Sequence, residues 1–410
     1  MNVYMRKIIA AGTALMLLAT SQVSAFAKVK DDVILPAPAL SFEDGEQLSD
    51  GVYTAESDNQ SAGEASGDVT VSVSGAVFQK MSGDASSADA ASFRGVNSCI
   101  RVYGNATLSL SDCEIVSEAK NATGVFAYEN GTVEISDSTV TVTGGGAGGV
   151  QVAGGGTLIG SNLTVTSASK AAIRSDRGGG VIQIDGGTYT STGSNGCPAI
   201  YSTADITVRN AECVSTNSRA VIIEGKNSVT LENCTLSGND QSTKEGSVKA
   251  NVLLYQSASG DASPGTSVFT MTGGEMVCSS GAMFYCTNTS SQVNLTDTDL
   301  KLSEDGTLLI VSEGRWGKDG RNGGDCTFTA KEQALEGIIR VDGISKLSLI
   351  LDGSDFTGAI QNNGTADVEM ENGSTWTLTG DSEVSSLSGE LSGIDLNGYS
   401  LTVNGTAFEA

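Results

Sequence analysis

The chain has 410 residues, with 48 acidic against 23 basic side chains, no histidine and a formal net charge of −25. Such a chain repels nucleic acid and anionic lipid, because both are bound through Lys and Arg. The missing histidine also excludes nucleophilic triads that use an imidazole base. Metal cations and basic surfaces are the partners that this charge favours.

The first predicted element is a secretory signal peptide over residues 1–27. Arg6 and Lys7 precede an apolar run over residues 8–18, and residues 25–27 supply a cleavage site with small side chains. The run is too short to cross a membrane, and no later segment is apolar enough to do so. We therefore expect a secreted protein, extracellular or loosely associated with the cell surface, with no membrane span.

Residues 28–66 are predicted to be a linker and an N-terminal cap. The segment contains Pro36 and Pro38 but no repeat, and a solenoid needs a cap because its end strands expose unpaired backbone groups. The first strand is expected at residues 69–73, followed by a protruding loop of small residues at 82–91.

Short strands repeat through residues 67–374. Val133 and Ile135 alternate with polar residues, as in a strand with one buried face, and the alternation shifts after Asp137, which indicates a turn. The first apolar residue after each turn recurs at intervals of 25, 25, 24, 24 and 23 residues, at Leu108, Val133, Leu158, Ile182, Ile206 and Val229. Strand repeats of this length predict an all-β fold, a right-handed single-stranded parallel β-helix with about 24 residues per coil. A β-propeller fits less well, because each blade needs roughly 40 residues and four strands.

The regular rhythm is interrupted twice before it ends. The intervals lengthen near residues 238–266 and 313–325, where we expect loop excursions from the coils. Residues 375–410 are predicted to form a C-terminal coil and cap, in which Trp376 packs rather than binds a ligand.

Three segments carry a resemblance to a known family: Trp376–Asp381, Asn397–Val403 and the loop Arg315–Gly324. They resemble adhesin-like parallel β-helix repeat proteins secreted by Gram-positive bacteria, from about residue 67 onward, and the topology is distantly similar to pectin-lyase-like proteins. The resemblance implies little chemistry, because these proteins have no agreed catalytic residues. The long regular stack without a convergent catalytic set leads us to expect a non-catalytic protein that binds extracellular or cell-surface components, with glycans the expected ligands. Two alternatives stay open: a calcium-dependent acidic-polysaccharide binder or lyase, and a purely structural rod in a cell wall or biofilm.

One polar position recurs after the second apolar residue of a repeat. Stacked Asp and Asn side chains at a corner can bond the backbone of their own turn and of the next coil, so we interpret this ladder as structural. It would bind calcium only where loops close over it and bring several oxygens together, so no cofactor is predicted and calcium is the open alternative. The ladder residues are Asp112, Asp137, Asn210, Asn233 and Asp297.

An even number of cysteines permits disulfides in an exported protein. Cys113 and Cys234 directly follow ladder residues, which indicates small side chains that fill the core. The spacing contains no Cys-x-x-Cys pair, so a metal site is not predicted. The pairing is left open, including a disulfide between Cys278 and Cys286. The eight positions are Cys99, Cys113, Cys197, Cys213, Cys234, Cys278, Cys286 and Cys326.

The loop at 313–325 is the best predicted binding site. It places Trp316 among basic residues that are rare elsewhere in the chain, and the flat indole face suits a sugar ring or a protein contact while the cations suit an acidic glycan. The other interpretation is a loop folded back so that Trp316 covers a coil edge. The candidate ligand-binding residues are Arg315, Trp316, Lys318, Arg321 and Asn322.

Catalytic residues are not predicted with any specificity. A lyase of this fold would need a basic side chain beside acidic calcium ligands, and Arg174 with Asp176 forms the one weak candidate cluster. The alternative is a surface ion pair, which would contribute less than about 1 kcal/mol. Whether the protein is an enzyme is therefore left open, with a polysaccharide lyase as the class to test.

Overall fold

The computed structural model describes residues 35–244 and 246–409. The predicted signal peptide and the first part of the predicted linker lie outside these residues. The described chain is almost entirely β-structure, and its strands pair in parallel with those of the preceding and following coils. The predicted parallel β-helix is confirmed.

Sheet A has 15 strands and forms one wall of the solenoid. Its strands are Leu40–Ser41, Gly63–Ser66, Ile100–Tyr103, Val125–Tyr128, Val150–Ala153, Ile173–Ser175, Ile200–Ser202, Val221–Glu224, Ala250–Tyr255, Ala282–Thr287, Thr307–Val311, Ala334–Val341, Asp355–Asn362, Thr375–Leu378 and Ile394–Asp395.

Sheet B has 22 strands and supplies the remaining walls. Two of its long strands, Gly156–Ser167 and Gly180–Ser194, each pair with two separate strands of a neighbouring coil. The strands are Gln47–Ser49, Val52–Ala55, Thr70–Ser74, Val77–Lys80, Thr107–Ser111, Glu114–Ser117, Thr132–Ser136, Thr139–Val142, Gly156–Ser167, Gly180–Ser194, Asp205–Arg209, Glu212–Asn217, Ser228–Glu232, Thr235–Gly238, Thr266–Thr272, Glu275–Cys278, Ser290–Thr296, Asp299–Lys301, Asp325–Lys331, Lys346–Asp352, Thr365–Glu371 and Ser386–Gly389. A small third sheet at the C-terminus contains Ser382–Val384, Leu401–Val403 and Thr406–Ala407.

Consecutive coils stack in register around an apolar interior. Val133 pairs with Leu108 on one side and with Leu158 on the other, and the same column continues through Ile182 and Ile206. All of these side chains are buried, and burying each such side chain stabilises the fold by about 1.5–3 kcal/mol. The period predicted from the sequence therefore corresponds to one coil.

Trp376 lies inside the C-terminal coils, as predicted. Its ring is fully buried and stacks on Phe356, with 5.7 Å between the ring centroids. Its Nε1 donates to the carbonyl of Gly358 at 3.1 Å, so the one polar atom of the indole is paired.

The polar ladder occupies a left-handed turn between two walls. Asp112, Asp137, Asn210, Asn233 and Asp297 have φ of 53°, 48°, 51°, 52° and 48°, a region that Asn and Asp tolerate better than other side chains. The side chains also bond between coils, since Nδ2 of Asn210 donates to Oδ1 of Asp185 at 2.7 Å. The turn thus accounts for these residue types without a bound ion.

The N-terminal region differs from the predicted organisation. Residues 47–49 and 63–66 already pair with later coils, so the strand at 70–74 is not the first. These early strands lack the alternation of large apolar and polar residues that predicts a strand, because small residues such as Gly63 and Ala65 fill their buried positions.

A short helix replaces part of the predicted loop at 82–91. Helix α1, Ala88–Arg94, begins where the Ser87 side chain accepts from Ala90 N at 3.0 Å and ends at Gly95 in the left-handed region. Seven residues are too few to show a helical period in the sequence. Within the residues described, no helix has both the length and the apolar character needed to cross a bilayer.

All eight cysteines are free thiols. Cys113 and Cys234 are buried in the core, as the sequence predicts. The Cys278 Sγ lies 3.4 Å from the carbonyl of Ser280 rather than against Cys286.

A lysine is buried in the N-terminal coils, which no sequence pattern indicated. Lys80 ends the strand Val77–Lys80, is completely buried, and donates from Nζ to the carbonyl of Ser57 at 2.5 Å. Burial lowers its pKa to about 8, because the charged amine loses its hydration.

We expect Asn210→Val to destabilise the protein by about 1–2 kcal/mol, because a β-branched residue is strained at positive φ. Asn210→Gly is the matched control, since glycine adopts this conformation freely. Urea unfolding midpoints measure both effects. Equal destabilisation by the two variants would show that the side-chain bond, not the backbone conformation, selects asparagine here.

We expect Lys80→Met to raise stability near neutral pH, by at most about 3 kcal/mol, because the wild-type fold disfavours the charged amine. The pKa of Lys80 is lowered from 10.5 to about 8 in the folded state. The free energy of unfolding of the wild type therefore increases as the pH rises through that window. The advantage of Lys80→Met should therefore shrink between pH 8 and 10.5. Unfolding midpoints of both proteins across this range are the measurement, and an advantage that does not change with pH would contradict the assignment.

Candidate functional site

The outer face of sheet A carries a row of side chains in register. Arg174, Tyr201, Ile222, Leu253 and Tyr285 occupy the same position on five successive strands. Parallel strands stack about 4.8 Å apart, so this row forms a continuous surface. The two predicted loop excursions depart from coils along this row.

Those loops enclose a cleft above the middle of the row, which we call the aromatic cleft. Its volume is about 160 Å³. Tyr201, Ile222 and Leu253 come from the sheet, and the remaining lining residues come mainly from segments that flank or interrupt the coils. The full lining is Asn195, Gly196, Tyr201, Arg219, Ile222, Ser242, Lys244, Ser247, Leu253, Tyr255, Arg315 and Trp316.

Two tyrosines of the aromatic cleft are held by a buried carboxylate. The Tyr201 and Tyr255 hydroxyls donate to Oε2 of Glu224 at 2.5 and 2.9 Å, and the Ser257 hydroxyl donates to Oε1. Glu224 is 1% exposed, so these hydrogen bonds replace the water it has lost. Burial raises the pKa of both tyrosines, which therefore stay neutral donors with fixed ring positions.

Trp316 extends the aromatic surface from the loop at 312–324. Its ring centroid lies 4.5 Å from that of Tyr255 at an interplanar angle of 47°. The Arg315 guanidinium carbon lies 4.6 Å from the Trp316 ring centroid, within the range of a cation–π contact. Trp316 is only partly buried, so it both packs on the coil and faces the cleft.

Arg219 anchors the opposite loop. Its Nη2 lies 3.1 Å from Oδ2 of Asp240 and donates to the carbonyl of Val248 at 2.6 Å. Both charged side chains are almost completely buried. A buried ion pair must offset the loss of hydration through close contact and further hydrogen bonds. Among the described residues, nothing accepts a hydrogen bond from the buried Arg219 Nε.

The charge of the aromatic cleft opposes that of the whole chain. Three basic residues, Arg219, Lys244 and Arg315, line it, whereas none of its described lining residues is Asp or Glu. Lys244 and Arg315 are exposed to solvent. The cleft is thus a local cationic site on a chain with a net charge of −25, and anionic ligands are attracted to it.

The structure separates the five residues that the sequence grouped in the loop. Arg315 and Trp316 line the cleft, whereas Lys318 and Arg321 are exposed at a turn of the loop that does not line it. Asn322 is buried and donates from Nδ2 to the carbonyls of Gly314 at 2.6 Å and Trp316 at 2.9 Å. Asn322 therefore shapes the loop from within, because its amide replaces backbone partners that the loop lacks.

Arg174 and Asp176 form a buried pair, so the expectation of a surface ion pair is wrong. Arg174 Nη2 lies 2.7 Å from Asp176 Oδ2, and the two side chains are 13% and 3% exposed. The Arg174 guanidinium carbon also lies 4.5 Å from the Tyr201 ring centroid. Helix α1 and a later loop lie beside the pair, since Arg177 contacts the Phe93 ring and bonds Asp261.

Sequence reasoning missed Tyr201, Tyr255, Arg219 and Lys244. A usable signal existed for Tyr201, because it directly follows an apolar corner residue, as Arg174 does. The other three carry no local signal. They meet only because two loops from different coils fold over the same strands.

A metal-binding cluster is not found in the part of the chain that the structure describes: no three or more Asp, Glu, Cys or His side chains converge there.

We expect Asn322→Ala to loosen the loop, because two buried hydrogen bonds worth about 1 kcal/mol each are lost. Trypsin should then cleave after Arg315, Lys318 or Arg321 roughly tenfold faster, since cleavage tracks local opening. Asp319→Ala, at an exposed position of the same loop, is the control. If both variants are cleaved at the wild-type rate, Asn322 does not hold the loop.

No family model, curated protein or solved structure matches this chain. Its function must therefore be inferred from the aromatic cleft and the charges around it.

Proposed function

We propose that the protein is a secreted, non-catalytic, adhesin-like β-helix protein that binds an acidic glycan in the aromatic cleft. One observation carries the proposal: an indole, two tyrosines and the exposed cations Lys244 and Arg315 share a cleft whose described lining contains no carboxylate, while the third basic residue, Arg219, is paired with Asp240. Elsewhere the chain is strongly acidic.

The chemistry of the lining favours an acidic sugar over other anions. The faces of Trp316 and Tyr255 suit the apolar side of a sugar ring. Lys244 and Arg315, which line the cleft and are exposed, can pair with a carboxylate or sulfate group.

The size of the cleft indicates how much of the ligand is held. At about 160 Å³ it is smaller than the roughly 300–1,000 Å³ of sites that enclose a drug-sized ligand. We therefore expect it to hold one ring of a polymer whose remainder lies along the outer face of sheet A.

The contacts and the charge of Arg174 support a non-catalytic protein. A lyase base must reach the substrate, but Arg174 is held by Asp176 and by the Tyr201 ring and does not line the cleft. Burial is the largest single effect and lowers the pKa of Arg174, but the combined attraction of Asp176 and Tyr201 raises it overall, so the guanidinium stays charged.

We expect Trp316→Ala to weaken binding of acidic oligosaccharides about tenfold, because one aromatic stacking surface is lost, while Tm falls by only a few degrees.

The Lys244→Ala and Arg315→Ala double variant should also bind more weakly and lose most of the salt dependence of binding. Isothermal titration calorimetry with an acidic oligosaccharide chosen from a glycan array is the measurement.

Lys318→Ala with Arg321→Ala is the matched control, since it removes the same charge from residues outside the cleft. Equal losses in the two double variants would mean non-specific attraction, which contradicts the proposal. A flat array response by the wild type would favour a purely structural rod, and shortening of polygalacturonate or alginate by the purified protein would favour a lyase.

A further inference from the structure

Two thiols from different walls meet in the core. Cys286 lies on the sheet A strand Ala282–Thr287, and Cys326 lies on the sheet B strand Asp325–Lys331. Their Sγ atoms are 3.5 Å apart, and both residues are almost completely buried. By contrast, Cys113 and Cys234 direct their Sγ atoms to backbone carbonyls at 3.3 and 3.4 Å.

The two thiols lie where the loop at 312–324 begins and ends. Cys326 follows the loop in the chain, and Cys286 lies on the neighbouring coil beside both ends of the loop. Cys286 is the strand partner of Val311, which precedes the loop, and Ser312 N donates to the Cys286 carbonyl at 3.2 Å. Cys326 follows the loop, and a Cβ on Gly324 would lie 2.5 Å from the Cys286 carbonyl oxygen. The backbone at both ends of the loop is therefore already against Cys286.

We infer that Cys286 and Cys326 form a disulfide when the chain folds in an oxidising compartment, and that this bond closes the base of the loop carrying Trp316. To bond, the Sγ atoms must approach from 3.5 Å to about 2.05 Å. This inference does not depend on the proposed glycan binding.

The chemistry is thiol–disulfide exchange with a small-molecule or protein disulfide as the oxidant. One cysteine thiolate attacks the oxidant's disulfide, which releases one thiol and leaves a mixed disulfide. The second cysteine thiolate attacks the mixed disulfide and releases the second thiol. Two S–H bonds and the oxidant's S–S bond are broken, while one S–S bond and two S–H bonds form, so the cysteines lose two electrons to the oxidant.

The buried position indicates when the bond forms. The hydrogen bond with Cys286, followed by burial, raises the pKa of the Cys326 thiol. Because the thiolate is the reactive form, the folded pair reacts slowly. We therefore expect oxidation while the coils are still assembling, after which the bond is shielded from reductants.

The test is to refold the denatured, reduced protein with a mixture of oxidised and reduced glutathione, alkylate the remaining thiols and map the peptides by mass spectrometry. The expected result is one linkage, between Cys286 and Cys326, with the other six cysteines alkylated. Eight alkylated cysteines would overturn the inference. A linkage between Cys278 and Cys286, or between Cys213 and Cys234, would overturn it as well.

A second measurement connects the bond to the loop. Tryptic cleavage at Arg315, Lys318 and Arg321 should be several-fold faster in protein refolded under reducing conditions than in the oxidised protein. Cys286→Ser should remove this difference, whereas Cys113→Ser, another buried thiol, should keep both the difference and the linkage. Equal cleavage of oxidised and reduced wild type would show that the bond does not brace the loop.

Discussion

Parallel hydrogen bonding between consecutive coils is the constraint on which the rest of the structure depends. It fixes whether each residue faces the core or the solvent, because a shift of one residue would exchange the two faces. The pairing survives long insertions: Val229 pairs with Phe269, and Val293 pairs with Phe328. The extra residues form loops at the corners between strands, so longer loops do not disturb the register of the walls.

This property explains how a cleft arises on a regular β-helix. The segments at 239–249 and 312–324 are far apart in the chain, yet stacking places their coils close together. Both loops fold over the same strands of sheet A and meet around Tyr201, Tyr255 and Trp316. A cationic cleft can therefore form on a very acidic chain from basic residues that are distant in the sequence, such as Lys244 and Arg315.

Each buried charged group beneath these loops has a hydrogen-bond donor or an oppositely charged partner. Glu224 receives hydroxyl donors, while Arg219 with Asp240 and Arg174 with Asp176 form ion pairs. A buried charge without partners would be strongly destabilising, so each set holds its segment in one arrangement. The Tyr201 and Tyr255 rings are therefore fixed before any ligand binds, and the proposed site needs less ordering on binding.

The coil period, the apolar columns and the polar corner ladder could all be predicted from the amino-acid sequence. These features are local, since alternation of two residues and the left-handed preference of Asn and Asp act within one turn. The folded chain was needed to show that Asn322 lies inside its loop, that Asp176 is buried with Arg174 largely covered, and that Lys244 and Tyr255 line the same cleft as Trp316. Those outcomes depend on which loops cover which strands, and no periodic pattern records that contact.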